Sequence, residues 1–340
     1  MTEDAQSPKA PRRPFLAVLG QVVKWGLFAA VLALVGRLLW GQFRSVDWST
    51  IRFSPGFVIL AVLTALVGKS LSVVAYRSLL AKFGTTPSWP QMMTVAWLPM
   101  AGKYVPGKVA SVAGAVWLLR RHCPSTTAAV NVVVVVNGLL VLTGFLLAVP
   151  LALCEPIRRI LPLAWLWFSL LLVIGLICLH PKVFDGLAAW LLKKFKHQEL
   201  VMRPKFRDYI WPAIVMLVQW ALGGVSTWLI GRAVMDISTD WLPLFVAASA
   251  LGGSVGFLAV FAPGGIGVRE GILSPLLAPA IGPAAAVVIV ASRIVLVLVE
   301  IILVAVGFYL LRANPPAGRT QGAARQAATA DNLTPPVGGE

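Results

Sequence analysis

Apolar stretches of about 20 residues recur along nearly the whole of this chain, each long enough for a helix to cross about 30 Å of hydrocarbon. Full spans are expected at about residues 17 to 40, 55 to 76, 126 to 150, 162 to 180, 211 to 231 and 284 to 311. The charge content agrees: only 12% of the 340 residues are charged, about half the soluble norm of roughly 25%, and 58% are hydrophobic. The expected fold class is therefore all-α, a polytopic integral membrane protein.

Two further apolar regions are long but interrupted. Residues 88–119 break at AGKYVPGK, with Pro106 and Gly107, and residues 242–281 break at APGGIGVRE, with Pro263, Gly264, Gly265 and Gly267. Proline removes a backbone donor and glycine loosens a helix, so both breaks leave groups that hydrocarbon cannot satisfy. Such backbone has to line protein or a cavity. Each region is read as a re-entrant pair of half-helices, with two complete crossings joined by a tight loop as the alternative.

Six full spans and two re-entrant pairs gather most Lys and Arg on one side. The other side keeps Arg44, Arg52, Arg158, Arg159 and Arg232, partly offset by Asp47, Glu155, Asp236 and Asp240. Basic loops lie inside, so both termini are expected in the cytoplasm, in a bacterial-type inner membrane. The first broken region then enters from the cytoplasm and the second from outside, which inverts the two halves. Self-similarity is too weak to prove a repeat, but Gly/Pro-interrupted segments at matching places in two halves point to a transporter-type site near the midplane.

The organisation expected is a cytoplasmic segment at 1–14, a transmembrane domain at 15–312 and a disordered cytoplasmic tail at 313–340, rich in Ala, Gly and Pro. Residues 181–210 link the halves. Their Phe184, Leu187, Trp190 and Leu191 among basic residues suit an interfacial amphipathic helix or an ordinary basic loop. Arg12-Arg13 superficially resembles an export signal, but no A-x-A-like cleavage site follows and many spans do; an uncleaved first helix is expected.

The net charge of +16 is spread between apolar segments, which fits lipid and orientation and argues against nucleic acid. Cys123, Cys154 and Cys178 lack paired spacing, and His122, His180 and His197 share no helical face, so neither a metal site nor a cofactor is expected.

Charges inside the apolar regions carry the functional reading. Lys24 and Arg37 sit near the ends of the first span and can snorkel. Lys69 cannot, being about 18 Å into its span at the helical rise; it meets a substrate or an internal acid, Glu270 or Glu300. Arg293 and Glu300, two turns apart, point into the bundle together but are about 10 Å apart in rise, so each needs another partner, and Glu270 suits Arg293. Lys103, Lys108 and Arg269 flank the breaks, where exposed N–H groups and half-helix dipoles favour an anion. Together they could form a phosphate-sized trap; the other reading has the lysines snorkelling and Arg269 paired with Glu270 or Glu300.

The segment LPMAGKYVPGKVASVAGAVWLLRR, and PGGIGVRE followed by Arg293 and Glu300, resemble the flippase-like family named for the transmembrane region of lysylphosphatidylglycerol synthase, over about residues 15–312. The resemblance implies handling of phospholipid or isoprenoid-type lipids, in some members by moving an aminoacylated lipid between leaflets. It reaches Lys103, Tyr104, Pro106, Gly107 and Lys108, then Pro263, Gly264, Gly265, Gly267, Arg269, Glu270 and Arg293. One departure stands out. Many relatives carry an acid in the helix after the first motif, where this chain has only Asn131 and Asn137.

The function expected is a lipid translocase holding an anionic phospholipid or isoprenoid-phosphate headgroup between the two breaks. Lys103, Lys108, Arg269, Lys69 and Tyr104 would bind it, and Glu270, Arg293 and Glu300 would set the cavity's charge. The alternative is a non-transporting scaffold or regulator of a lipid-synthesising membrane enzyme. Nothing resembles a nucleophile with its base, so no enzyme is expected, and no ring-forming filter motif suggests a channel.

Overall fold

The computed structural model describes residues 14–105, 109–149, 151, 166, 170, 173 and 207–313. Pro106, Gly107 and Lys108, residues 1–13, most of the span expected at 162–180, the linker through residue 206 and the tail from 314 lie outside the described residues.

Every regular element among the described residues is helical: α1 (Pro14–Arg44), α2 (Pro55–Ala81), α3 (Trp89–Trp97), α4 (Val109–Leu119), α5 (Thr126–Ala148), α6 (Arg207–Val234), α7 (Leu242–Leu258), α8 (Val268–Ile281) and α9 (Ala285–Ala313). At 1.5 Å per residue, the 23 to 29 residues of α2, α5, α6 and α9 give about 35 Å or more, enough to cross a bilayer. These helices expose large apolar side chains outward, as on α9, where Ile294, Leu298 and Ile301 face out while Val299 and Glu300 are buried. Such a surface is stable only against lipid, and the protein is an all-α polytopic membrane protein.

Both expected interruptions are present. The first leaves α3 at 9 residues, about 14 Å, and α4 at 11, about 17 Å, each well short of the hydrocarbon thickness. Between them runs a 3-10 stretch, Leu98–Tyr104. A Cβ on Gly102 would lie 2.6 Å from the Ser111 nitrogen, so glycine lets the two arms of this break close on each other. The second interruption separates α7, of 17 residues, from α8, of 14. Gly264, Gly265 and Gly267 there have φ of 59°, 71° and 85°, a left-handed run that residues bearing a Cβ resist.

The order of elements in the first half, a long helix, a broken pair and a long helix, recurs in the second. Loops of equal length, residues 82–88 and 235–241, follow the leading helices α2 and α6. These two pack side by side and antiparallel. Near the start of α2, the Arg52 and Ser54 amides donate to the carbonyls of Val234 (2.8 Å) and Ala233 (3.0 Å), at the end of α6. Farther along, Ser226 Oγ donates to the Ala61 carbonyl at 2.8 Å, and at the opposite end Lys82 meets Asp208 at 3.1 Å. The remaining contacts are reciprocal: α5 packs on α7, α9 packs on α3, and the two breaks touch each other.

Small residues allow these close approaches, as expected where lipid supplies no hydrophobic drive between helices. A Cβ on Gly224 of α6 would fall 2.3 Å from the Val246 Cα of α7, and one on Gly144 of α5 would fall 1.9 Å from Ser254 Oγ, also of α7.

Candidate functional site

The interrupted segments meet around two buried carboxylates. Glu300, on the inner face of α9, is 2% exposed. Its Oε1 is approached by Lys69 Nζ at 3.4 Å and, more closely, by Lys103 Nζ, while its Oε2 accepts from the Tyr104 hydroxyl at 2.6 Å. All three donors belong to the first half, from mid-α2 and the first break, and the acid belongs to the second. Lys103 therefore does not snorkel to the interface, and Lys69 takes Glu300 as its internal partner. The 3-10 turn through Leu98–Tyr104 brings two successive side chains, Lys103 and Tyr104, onto the one carboxylate.

Glu270 does a different task. At the third position of α8 it reaches back to accept the Gly267 amide at 2.8 Å, which caps the helix, and its other oxygen stands 3.5 Å from Arg293 Nη1. Arg293 Nη2 also donates to the Gly264 carbonyl at 3.0 Å. The arginine thus braces the left-handed turn of the second break, and the partner expected for it is the one found. Gly264 has a second constraint besides its φ, because a Cβ there would lie 2.8 Å from the Tyr104 ring.

Arg269 stands apart. No salt bridge joins it to Glu270 or Glu300 among the described residues, and its Nε and Nη1 are closed to solvent without a hydrogen-bond partner. A buried donor left unmade costs about 1–3 kcal/mol, more when charged. Arg269 lines a cavity of about 150 Å³ together with Lys69, Lys103 and Arg293, roughly ten times the least space that holds one water. Four of the sequence's candidates thus share one cavity between the two breaks. Tyr104, Glu270 and Glu300 contact them directly.

Other lining residues went unnoticed in the sequence. Gln219, Gly223 and Ser226 of α6 line the cavity, and Gln219 Oε1 is buried without a partner. Their spacing of four and then three residues marks one helical face within an otherwise apolar span, a signal that was available. Ser249 Oγ and Thr227 Oγ1, 3.1 Å apart, extend the polar wall from α7 to α6. In α5, where relatives were expected to carry an acid, Asn137 donates to the Val133 carbonyl at 2.7 Å and Asn131 Oδ1 is buried without a partner. Neither asparagine lines the cavity.

No curated protein matches the chain. A family does, and its match to residues 21–312 takes in every helix after the opening turns of α1 and both breaks. With the fold, the interruptions and the charged cluster falling inside that match, the chain belongs to the family described as the lysylphosphatidylglycerol synthase TM region, membrane proteins related to lipid synthesis or translocation.

Proposed function

We propose that the protein is a lipid translocase that receives an anionic headgroup in the cavity between its two broken regions while the acyl chains stay in the bilayer. The observation that carries this reading is Arg269, whose planar fork has buried, unmade hydrogen bonds in a cavity shared with three more cations. An anionic phosphate or carboxylate would accept bonds from these donors, each charge-assisted and worth about 1.5–3 kcal/mol. Lys69 and Lys103 can then turn from Glu300 toward the same group.

The Glu300 contacts suit a moving part. Lys69, Lys103 and Tyr104 tie the first half to the second through one carboxylate, so an arriving anion competes for the ties that hold the halves in this arrangement. Rocking of one half against the other would alternate access, with the first broken pair re-entering from the cytoplasm and the second from outside. Basic loops then face a cytoplasm bounded by an inner membrane. No covalent chemistry or cofactor is involved in this reading, since both buried acids are occupied as cap and counter-ion.

The test is leaflet transfer in liposomes of a fluorescent anionic phospholipid, followed by a membrane-impermeant quencher. Arg269→Ala should abolish headgroup-dependent transfer, and Arg269→Lys, which keeps the charge but loses the fork, should retain part of it. Unchanged transfer in Arg269→Ala would remove the anchor.

A further inference from the structure

The charges around the cavity are unequal, and their pairing says what kind of headgroup completes them. Among the described residues four cations, Lys69, Lys103, Arg269 and Arg293, face two carboxylates. Glu270 is taken by Arg293 and by the Gly267 amide. Glu300 is shared by two lysines and the Tyr104 hydroxyl, so one lysine charge is left over. Arg269 has no salt bridge to either acid among the described residues, and its Nε and Nη1 make no hydrogen bond. The surplus is two positive charges, which an anionic ligand would compensate.

We infer that the cavity is built for a headgroup carrying two negative charges and no ammonium, namely a phosphate monoester or diphosphate on a lipid, and that it discriminates against phosphodiester lipids and most strongly against aminoacylated ones. This rests on the anionic-headgroup reading above and narrows its substrate class. A phosphate monoester bears close to two charges above its second ionisation near pH 6 and presents three terminal oxygens, enough for the arginine fork and a lysine together. A phosphodiester supplies one charge and leaves one cation uncompensated. A lysyl ester adds two ammonium groups to that single phosphate charge, and both carboxylates that could receive them are already engaged.

The experiment is lipid retention by the full chain. Protein reconstituted at pH 8 in nanodiscs holding equal phosphatidic acid, phosphatidylglycerol, lysyl-phosphatidylglycerol and phosphatidylcholine is extracted into detergent, and the co-purifying lipids are measured by mass spectrometry. Phosphatidic acid should be enriched over phosphatidylglycerol by about tenfold, the ratio that one additional compensated charge gives at roughly 1.4 kcal/mol, and lysyl-phosphatidylglycerol should be depleted. Arg269→Gln should bring the two anionic lipids to near equality. Equal retention of the two by the wild-type protein, or enrichment of the lysyl lipid, would overturn the inference; equal retention would leave the broader anionic-lipid reading standing. Retention of phosphatidylcholine as readily as any other lipid would sink both. The wild-type comparison needs no variant, so a failure of Arg269→Gln to fold leaves the inference open to refutation.

Discussion

At Glu300 one carboxylate answers two ammonium groups and a phenol beside the cavity between the two breaks. Removing the acid leaves two inward-turned cations without compensation, and breaking a buried pair from one side costs about 3–5 kcal/mol. Glu300→Gln should therefore lower the unfolding free energy in micelles by about 3 kcal/mol or more, and adding Lys103→Met should recover a substantial part. A double variant no more stable than the single one would show that the lysine does not depend on the acid. In the sequence Lys103 and Tyr104 stand as headgroup ligands, and Lys69 as either a headgroup ligand or the partner of Glu270 or Glu300. Only the folded chain reveals that all three meet on Glu300, because residue 300 is separated from 69 and 103 by most of the chain. Arg269 has the opposite history. Its pairing with Glu270 or Glu300 was one of two readings, yet no salt bridge joins them among the described residues, and its Nε and Nη1 are buried without a partner.

The breaks are where the elements bring the charged cluster together. Helix α3 with its 3-10 extension and α4 form two arms that come together at Gly102 and Ser111. If this pair is re-entrant, both of its ends lie on one side of the membrane. Cys123, which ends the α4 turn and is a free thiol, supplies one reporter, and a cysteine placed at Thr86 supplies the other. With the remaining cysteines changed to serine, an impermeant maleimide should label both positions from the cytoplasmic side of inverted vesicles and neither from right-side-out ones. Labelling from opposite sides would make the region a complete crossing. The location of each interruption was legible because Pro and Gly clusters punctuate otherwise apolar runs. The detailed path was not: Gly264, Gly265 and Gly267 take positive φ, and Arg293 grips the Gly264 carbonyl from 29 residues later.

Over the whole molecule, the antiparallel contact of α2 with α6 forms the spine against which both broken pairs are arranged. Lys82 and Asp208 meet at one end of it. If the halves rock about this spine, a short bifunctional thiol-reactive cross-linker between Lys82→Cys and Asp208→Cys, with native cysteines replaced, should slow leaflet transfer. A cleavable linker should restore the rate on reduction. Transfer that proceeds unchanged in the cross-linked protein would place the motion elsewhere. The same spine explains why charges from both halves converge, since Lys69 lies near its middle, where Gly68 packs close to Leu222 and Gln219.

Apolar runs about as long as a bilayer is thick, cut twice by proline and glycine, were enough by themselves to determine a helical membrane protein with two broken regions. Hydrocarbon leaves the backbone no other partner for its polar groups, and hydropathy is a local property that needs no fold to be read. Arg293 with Glu270 was foreseen, but that Lys69, Lys103 and Tyr104 all gather on Glu300 was decided only by the tertiary structure. Ion pairing depends on distances of a few ångströms between residues up to some 230 positions apart, and those distances exist only once α2 lies against α6 and α9 closes over the first break.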